Sequence, residues 1–232
     1  MSKSVSIIIP FYNNWELTHQ RMMELHTYIP FQVEIILVDD CSTDENIAGG
    51  MGWWKTQSKH RVICIKNKKN LGFGGAFNKG CQRASEDVYV LLSNDVQVSG
   101  DFVSLILEKL KKDEKTLIGG QVLYHDTGWN VLNINGKPKL FPYAMGWLLA
   151  CTKEAWKDLG GFDQIYEKFD YEDVDLSTTA IHKGYKLVAL DYRRLRHFSA
   201  LTVRKYYPDR ESYTMKNQKR FIKKWSKILK DE

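Results

Sequence analysis

The sequence predicts a single α/β domain with a mostly parallel central sheet flanked by helices, and three observations lead to this prediction. The first half of the chain alternates short apolar runs with helical patterns at the spacing of parallel strand–helix units. The chain has 232 residues, of which 43% are hydrophobic, so it can form one sizeable core. Apolar residues are spread along the whole chain, which excludes a wholly disordered protein.

The first half contains four apolar runs that are typical of buried strands: Val5–Phe11, residues 33–38, Arg61–Lys66 and Val88–Leu92. Helices are predicted to begin near Trp15, to cover residues 76–84, and to follow Gly100-Asp101 as an amphipathic stretch. Ligands of parallel sheets bind outside the carboxyl ends of the strands. Polar loops follow three of these four strands, so a ligand site is expected at that edge.

The second half consists of shorter elements. Strand patterns cover residues 117–124, 129–134, 147–151 and 186–190, and helical patterns cover Lys153–Leu159, 173–182 and 212–229. In the last helix one face carries apolar residues, while most of the basic residues lie off it. The apolar residues of this stripe are Phe221, Ile222, Trp225, Ile228 and Leu229. We therefore expect an amphipathic, basic C-terminal helix whose apolar stripe packs on the domain or on a membrane surface.

Positive charge is concentrated at the C-terminal end of the chain. Residues 193–232 carry 13 Lys or Arg and 4 Asp or Glu, a balance of +9, whereas the net charge of the whole chain is +6. Such a segment suits an anionic partner, which could be a membrane surface, a nucleic acid or a phosphorylated acceptor. A solvated helix face explains the same charge equally well.

The apolar runs are far shorter than the roughly 18 residues that span a bilayer, and the amino-terminal residues do not form an export signal. Four scattered cysteines without metal-binding spacing indicate a reducing compartment. We therefore expect a cytoplasmic protein that could associate with the inner face of the membrane through its basic end.

Two adjacent carboxylates, Asp39 and Asp40, follow a strand that must be buried. Adjacent residues of an extended strand point to opposite faces, so only one of the two is expected to face a ligand, where it could accept a hydrogen bond from a ribose or a base. Loop-capping carboxylates would show the same pattern. The glycine-rich residues 71–75 lack the Rossmann and P-loop patterns, but Asn70 and Asn78 flank them and could contact a ligand.

Further carboxylates could hold a metal. Asp95 ends another apolar strand, and a dense acidic cluster follows later in the chain: Asp163, Asp170, Glu172, Asp173 and Asp175. Mg²⁺ and Mn²⁺ accept one or two carboxylates together with a diphosphate. His197 follows a late strand, and a lone histidine of this kind is either structural or a metal ligand.

Five motifs occur in order: Ser-Ile-Ile-Ile-Pro-Phe-Tyr-Asn (6–13), Ile-Leu-Val-Asp-Asp-Cys-Ser-Thr-Asp (36–44), Asn-Leu-Gly-Phe-Gly-Gly-Ala-Phe-Asn-Lys-Gly (70–80), Leu-Leu-Ser-Asn-Asp (91–95), and Gly-Gly-Phe-Asp (160–163) with Tyr-Glu-Asp-Val-Asp-Leu (171–176). Together they resemble the inverting glycosyltransferases of family two, which have the GT-A fold. The resemblance covers residues 4–200. The third and fifth motifs look most like the rhamnosyltransferase-like branch that builds bacterial surface polysaccharides.

The resemblance implies a role for several residues. Tyr12 would pack against the nucleotide base, Asp40 would hydrogen-bond the base or ribose, and Asp173 would be the general base. Asp95 matches the last position of the Asp-x-Asp metal motif, and His197 matches a histidine that completes the shell of Mn²⁺ or Mg²⁺. The donor-binding residues that the resemblance implies are Pro10, Tyr12, Asp40, Asn70, Gly72, Asn78, Asn94 and Glu172.

On the same resemblance, residues 1–98 form a nucleotide-sugar-binding half, residues 99–205 an acceptor and catalytic half, and residues 206–232 the C-terminal helix. Two positions depart from the family pattern. Ser93 stands where the Asp-x-Asp motif usually begins, which removes one carboxylate from the metal site. Cys41 replaces the glycine of the Asp-Asp-Gly-Ser loop.

The leading hypothesis is a metal-dependent enzyme that moves a hexosyl or deoxyhexosyl group, with inversion, from a nucleoside diphosphate sugar to a hydroxyl. The acceptor would be a glycan or lipid-linked glycan, in surface polysaccharide or glycan synthesis. Ser93 suggests instead a catalytically inert nucleotide-sugar-binding module, although Asp173 argues against it. The basic tail suggests a third reading, a glycosyltransferase acting on modified bases of DNA, whose binding would depend steeply on salt.

Overall fold

The structure, a computed structural model, describes residues 3–198 and 205–229. The strands are β1 (Val5–Phe11), β2 (Glu34–Asp39), β3 (Arg61–Lys66), β4 (Val88–Leu92), β5 (Val96–Val98), β6 (Thr116–Gly119), β7 (Val122–Leu123), β8 (Val131–Ile134), β9 (Lys137–Leu140), β10 (Tyr143–Ala144), β11 (Leu148–Thr152), β12 (Lys186–Ala189) and β13 (Leu195–His197). The helices are α1 (Trp15–Tyr28), α2 (Asn46–Gln57), α3 (Gly72–Cys81), α4 (Val103–Lys112), α5 (Lys153–Leu159), α6 (Glu172–His182) and α7 (Arg210–Ile228).

A central sheet organises the chain. Within residues 3–198 and 205–229 it has seven strands in the order β12-β6-β11-β4-β1-β2-β3. β1 pairs in parallel with β2 and β4, β2 with β3, and β6 with β12. β11 runs antiparallel to both of its neighbours, β4 and β6. The sheet is therefore mostly parallel, which confirms the predicted fold class.

Helices cover both faces of this sheet. Alternate residues of a strand point to opposite faces, and on one face Ile7 and Ile9 pack with residues of α1, α2 and α4. On the other face Ile8 packs with residues of α3, α5 and α6. The two apolar layers hold the carboxyl ends of β1, β2 and β4 at one rigid edge.

The C-terminal helix α7 packs on the second half of the chain. Phe221 and Trp225 are buried in an apolar cluster with residues of β8 and of the neighbouring loops, and Asn135, in the turn between β8 and β9, donates to Ser226 O at 3.2 Å. Trp225 Nε1 also donates to Asp175 Oδ1 at 2.8 Å. Most of the apolar stripe thus lies on the domain, as one of the two predicted arrangements requires, but Ile228 is 43% exposed. The exposed lysines of α7 are Lys216, Lys219, Lys223 and Lys227.

Most predicted elements are confirmed, and the differences have local causes. α3 begins at Gly72, four residues before the predicted start, because Asp40 caps this end of the helix. The sequence does not predict α2, since Gly49, Gly50 and Gly52 lower its helix propensity; packing of its apolar residues on the sheet holds it. The predicted strand at 117–124 divides into β6 and β7. The short strands β5, β9, β10 and β13 give too few residues for a periodic signal.

None of the helices in the described part of the chain is long and apolar enough to cross a membrane. The four cysteines all lie in the described part, and each is a free thiol that is buried or half-buried. The division into donor-binding and acceptor halves stays a prediction.

Candidate active site

A cavity of about 810 Å³ opens at the edge where β1, β2 and β4 end. The carboxyl ends of parallel strands meet there, so residues distant in sequence come together. The predicted site residues that line the cavity are Pro10, Tyr12, Asp40, Asn70, Gly72, Asn94, Asp95, Glu172, Asp173 and His197. Asn78 does not line it.

Asp40 caps the first turn of α3. Its carboxylate accepts hydrogen bonds from Leu71 N at 2.9 Å, Gly72 N at 3.0 Å and Asn67 Nδ2 at 2.9 Å. A helix start offers unpaired backbone donors and favours negative charge. Burial raises the pKa of Asp40, and these hydrogen bonds oppose the rise. Asp39 is not part of the cavity lining, so one of the two adjacent carboxylates faces the cavity, as expected.

The glycine-rich loop contacts the second half of the chain at Lys168. Gly72 has a φ of +77°, and a Cβ there would lie 2.6 Å from Lys168 Cα, so only glycine fits. Phe73 N donates to Lys168 O at 2.5 Å. Lys168 Nζ donates to Asn70 Oδ1 at 2.9 Å. The two sides of the cavity are therefore joined directly through this residue.

Asn78 has a structural role in this geometry. It donates to Phe162 O at 2.7 Å and accepts from Phe162 N at 3.0 Å, so its amide joins α3 to the turn that precedes the acidic cluster. The donor-binding prediction for Asn78 finds no support here, because the nitrogen and the oxygen of its side-chain amide both bond Phe162, away from the cavity. Cys41 has a φ of 70°, a left-handed conformation that the expected glycine would adopt without strain.

Asp95 and His197 are brought together by strand pairing. β13 runs antiparallel to β5, and His197 Nε2 lies 3.5 Å from Asp95 Oδ1. The imidazole stacks on Trp147, with ring centroids 5.3 Å apart and an interplanar angle of 16°. Ser93 lines the same cavity. The Asp95 and His197 side chains are close enough to bind one divalent cation together.

The donor set fits a metal that takes most of its ligands from elsewhere. In the described residues, no three His, Cys, Asp or Glu side chains form a group that could hold a metal ion. Mg²⁺ keeps several waters and is commonly bound through one or two carboxylates plus substrate phosphates. Asp95 and His197 would thus be the protein ligands of a metal completed by water and a diphosphate.

Asp173 lies in the first turn of α6 and is partly exposed to the cavity. Its Oδ2 accepts a hydrogen bond from Gly146 N, and its Oδ1 accepts one from Val174 N, both at 2.9 Å. Burial raises the pKa of Asp173 to about 6, while the Gly146 hydrogen bond opposes the rise. The carboxylate is therefore mostly ionised at neutral pH yet more basic than an exposed aspartate, which suits proton abstraction.

Glu172 is buried beside Asp173. Among the described residues, its Oε2 has no hydrogen-bond partner. Burial and the charges of Asp173 and Asp170 raise the pKa of Glu172 well above its usual value. A buried polar oxygen without a partner costs free energy, so a ligand hydroxyl bonding to this oxygen would remove that cost.

The backbone that leads into this motif is strained. Lys168, Asp170 and Tyr171 have φ values of 59°, 73° and 75°, in the left-handed region. Each such residue other than glycine costs roughly 1–2 kcal/mol. The surrounding structure must hold this segment in place.

Asn217 of α7 supplies much of that support. Its side chain is fully buried, and its Nδ2 lies within hydrogen-bonding distance of Glu167 O at 2.9 Å, Phe169 O at 2.9 Å and Asp170 O at 3.0 Å. Its Oδ1 accepts from Glu167 N at 3.0 Å. One side chain therefore bonds the backbone on both sides of Lys168 and at Asp170 itself.

An ion pair adds to this support. Arg210 binds Asp170 through two hydrogen bonds, of 2.6 Å from Nη2 and 3.0 Å from Nε. Thr214 Oγ1 donates to the same carboxylate at 2.5 Å. Arg210 and Thr214 also line the cavity, so α7 forms part of its wall.

A second bridge fixes α7 to α6. Lys224 Nζ lies 2.8 Å from Asp163 Oδ2 and 2.7 Å from Asp175 Oδ2. Asp175 is buried, and the Lys224 contact compensates its charge. Two carboxylates of the predicted acidic cluster are therefore structural and do not face the cavity.

Sequence reasoning missed Lys168, Arg210, Asn217 and Trp147. The bonds of Asn217 span 47 to 50 residues along the chain, so no local pattern announces them. A lysine in a charged segment and an asparagine in a polar helix are normally solvated. Only the aromatic character of Trp147, close to the strand β11, gave a usable signal.

The family model for glycosyl transferase family 2 matches residues 6–172, and the chain belongs to this family. The match ends at the start of α6, so α7 lies beyond it, whereas the segment that Asn217 and Arg210 bond lies within it.

Two curated proteins of different activity are similar to parts or all of this chain. A dolichol-phosphate mannosyltransferase of Pyrococcus furiosus is 31% identical over 121 residues, covering 50% of this chain and 33% of the relative. An inactive polypeptide N-acetylgalactosaminyltransferase-like protein 5 of Macaca fascicularis is 23% identical over 261 residues, covering 99% of this chain and 59% of the relative. The chain thus spans between a third and three fifths of the length of these two relatives.

Solved structures share the GT-A fold. The mannosyltransferase PcManGT of Pyrobaculum calidifontis, in complex with GDP-Man and Mn²⁺, superposes with a TM-score of 0.64 at 18% identity over 82% of this chain and 55% of its own. GalNAc-T7 with UDP, GalNAc and Mn²⁺ superposes with a TM-score of 0.70 at 17% identity over 84% of this chain and 44% of its own. The predicted GT-A architecture is confirmed.

The buried amide of Asn217 yields a stability prediction. Asn217→Ala leaves three carbonyls and one N–H without this partner, and we expect it to lower the free energy of unfolding by about 1–3 kcal/mol. Lys219→Ala, at an exposed site on the same helix, should change it by less than about 0.5 kcal/mol. Urea denaturation followed by circular dichroism measures both. Equal stability of the two variants would contradict the role given to Asn217.

Proposed function

We propose that this protein is a metal-dependent, inverting glycosyltransferase that uses a nucleoside diphosphate sugar. The observation that carries the proposal is the shared cavity: the Asp95 and His197 pair, a carboxylate with a pKa of about 6 at Asp173, and the glycine-rich loop all face it. Membership of the family supports it, as do the complexes of two structural neighbours, one with GDP-Man and Mn²⁺ and the other with UDP, GalNAc and Mn²⁺.

The donor would lie on the side formed by the first half of the chain. Tyr12 offers an aromatic face for the base, and Asn70 and Gly72 border the space next to it. Because Asp40 already binds two backbone amides of α3, its contribution includes holding this loop as well as meeting the base or ribose. Glu172, with an unpaired buried oxygen, would accept or donate a hydrogen bond at a sugar hydroxyl.

Asp95 and His197 would hold Mn²⁺ or Mg²⁺. When bound, such a cation stabilises the negative charge that develops on a leaving diphosphate. Trp147 keeps the His197 ring in one orientation by stacking on it. Ser93 adds a neutral side chain to the cavity wall, so the cation would depend on the substrate for the rest of its charge neutralisation.

Asp173 would take the proton of the attacking hydroxyl. The Gly146 hydrogen bond fixes one carboxylate oxygen and raises the fraction that is ionised. Single displacement with inversion needs a base on the face of the sugar opposite the leaving group. Asp173 is the group proposed for that position, because it lines the cavity that also contains Asp95 and His197. The presence of this carboxylate favours an enzyme over an inert binding module.

We propose further that the transferred group is a hexosyl or deoxyhexosyl unit and that the product belongs to surface polysaccharide or glycan synthesis, as the rhamnosyltransferase-like motifs suggest. A panel of nucleotide sugars, tested for hydrolysis or transfer with Mn²⁺ or Mg²⁺, examines the reaction class and the donor together. Absence of turnover and of nucleotide binding across the panel would contradict the proposal.

The two proposed protein ligands of the metal, Asp95 and His197, give a binding prediction. Asp95→Ala should remove the metal-dependent part of nucleoside diphosphate binding in calorimetry, since one of two protein ligands is lost. Glu114→Ala, an exposed carboxylate outside the cavity, should bind as the original chain does. Circular dichroism should show both variants folded. Unchanged metal-dependent affinity in Asp95→Ala would exclude Asp95 from the metal site.

The proposed base gives a kinetic prediction. Asp173→Asn should keep donor affinity within a few-fold and lose transfer by about 10²-fold or more, because binding needs no proton acceptor at this position. Asp113→Asn, an exposed aspartate outside the cavity, serves as the matched control. In the original chain, kcat/KM should rise with pH through about 6 and then level off, as Asp173 loses its proton.

A purely structural Asp173 would behave differently. The asparagine variant would then show a lower melting point with near-normal transfer, and the pH profile would lack an inflection near 6. Single-turnover assays and melting curves on the same preparations separate these outcomes.

The exposed lysines of α7 support a second proposal, that this face meets an anionic membrane surface carrying a lipid-linked acceptor. Each lysine near such a surface contributes about 1 kcal/mol. A nucleic acid is the alternative partner of this basic face, and its binding would depend steeply on salt. The predicted cytoplasmic location agrees with the membrane proposal.

Flotation with vesicles tests this surface. The chain should float with phosphatidylserine-containing vesicles at low salt, and Lys219→Glu with Lys223→Glu should abolish flotation because the exposed charge is reversed. The matched pair Lys109→Glu with Lys111→Glu on α4 should have little effect. Equal recovery with neutral and anionic vesicles would contradict the proposal.

A further inference from the structure

Trp129 exposes its indole at the rim of the cavity, whereas most of the other tryptophans in the described residues are buried or half-buried. Trp129 lies in the loop between β7 and β8, lines the cavity and is 55% exposed. Trp147, in the same cavity, is 8% exposed. Leaving a large aromatic surface in water forgoes the stabilisation of burial. Trp129 differs from the similarly exposed Trp53 in lining the cavity, where a ligand could cover its indole.

The loop that carries Trp129 is a built structure. Asn130 is fully buried; its Oδ1 accepts from Thr127 N at 3.0 Å and Thr127 Oγ1 at 2.9 Å. Its Nδ2 donates to His125 O at 3.1 Å and Phe141 O at 3.2 Å. The backbone on both sides of Trp129 is thereby fixed, so the outward position of the indole is a property of the fold.

The same loop is bonded to the motif that contains the proposed base. Tyr171 Oη donates to Trp129 O at 2.8 Å, and Gln218 Nε2 of α7 donates to Tyr171 Oη at 2.7 Å. Tyr171 is separated from Asp173 by one residue. Trp129 is thus held at a fixed place relative to Asp173, on the wall contributed by the second half of the chain. Tyr12 and the glycine-rich loop form the opposite wall.

From this arrangement we infer that Trp129 is a stacking platform for a pyranose ring of a carbohydrate acceptor. The inference rests on the proposed function, and it names the substrate class on the acceptor side. The ring would lie against the indole with one hydroxyl directed to Asp173. Trp129 is then a residue that determines acceptor specificity, in a position that the family motifs do not include.

The chemistry of the surroundings favours a neutral sugar. The negatively polarised face of an indole attracts the C–H hydrogens on one face of a pyranose. The hydroxyls of the same ring would find a hydrogen-bond acceptor in the carboxylate of Asp173, which lines the same cavity. A nucleobase could also stack on an indole, so a nucleobase is tested beside the glycosides.

Saturation-transfer difference NMR tests the inference without requiring turnover. The probes are methyl glycosides of glucose, galactose, mannose, rhamnose and N-acetylglucosamine, with thymidine as the nucleobase probe. We expect at least one glycoside to receive saturation at its ring C–H protons. Trp129→Ala should reduce this signal by at least about five-fold, whereas Trp129→Phe should retain part of it because a smaller aromatic face remains.

Trp53→Ala is the matched control, since Trp53 is 49% exposed and lies outside the cavity. It should leave the glycoside signal unchanged, and both alanine variants should bind UDP or GDP as the original chain does. The inference is overturned if no glycoside gives a signal, if Trp129→Ala keeps it, if Trp53→Ala loses it equally, or if thymidine gives the stronger Trp129-dependent signal. Failure of nucleotide binding in the original chain would count against the proposed function instead, because the glycoside signal is measured without nucleotide.

Discussion

The side-chain amide of Asn217 holds the backbone of residues 167–170 from within α7, and the acceptor side of the cavity depends on this interaction. Three residues of that segment or next to it have left-handed φ values, a conformation that the chain would leave without tertiary support. Asn217 bonds the carbonyls of Glu167, Phe169 and Asp170. The backbone held in this way carries Lys168, which bonds Asn70 beside the glycine-rich loop, and leads into Asp173, which bonds Gly146. The helix lies beyond the part of the chain that the family model matches, so the family motif is completed here by a contribution from outside it.

Charge is distributed unevenly around the cavity, and the distribution follows from the chemistry proposed for it. Asp40 is neutralised by helix amides, Asp170 by Arg210, and Asp175 by Lys224. Asp95, beside His197, and Asp173, with a raised pKa, are the carboxylates proposed to act on ligands. Carboxylates with structural partners and carboxylates directed to a ligand thus lie a few residues apart in the same motif. The environment of each one, and not its residue type, determines what it does.

The sequence predicted the parts of this structure that local patterns encode. Buried apolar strands located β1 to β4, and the family motifs placed Tyr12, Asp40, Asp95 and Asp173 at one cavity. The same motifs predicted a donor-binding role for Asn78, which does not line the cavity. The direction of a helix side chain depends on which neighbouring turn it bonds, and Asn78 bonds Phe162. Asn217 and Arg210 could not be found from sequence, since their partners lie 40 to 50 residues away and the helix around them is polar. The exposure of Trp129 depends on the buried amide of Asn130, which is likewise invisible in a linear pattern.

We propose that one cavity holds a metal-bound nucleotide on the side of the first half and directs Asp173 to the transferred sugar. A crystal structure with a nucleoside diphosphate and Mn²⁺, with the metal located by its anomalous scattering, tests this arrangement. We expect a manganese peak shared by Asp95 and His197, a diphosphate completing its coordination, and the base next to Tyr12, with Asp173 facing the sugar position. A nucleotide bound elsewhere, or a manganese peak without Asp95 as a ligand, would contradict it.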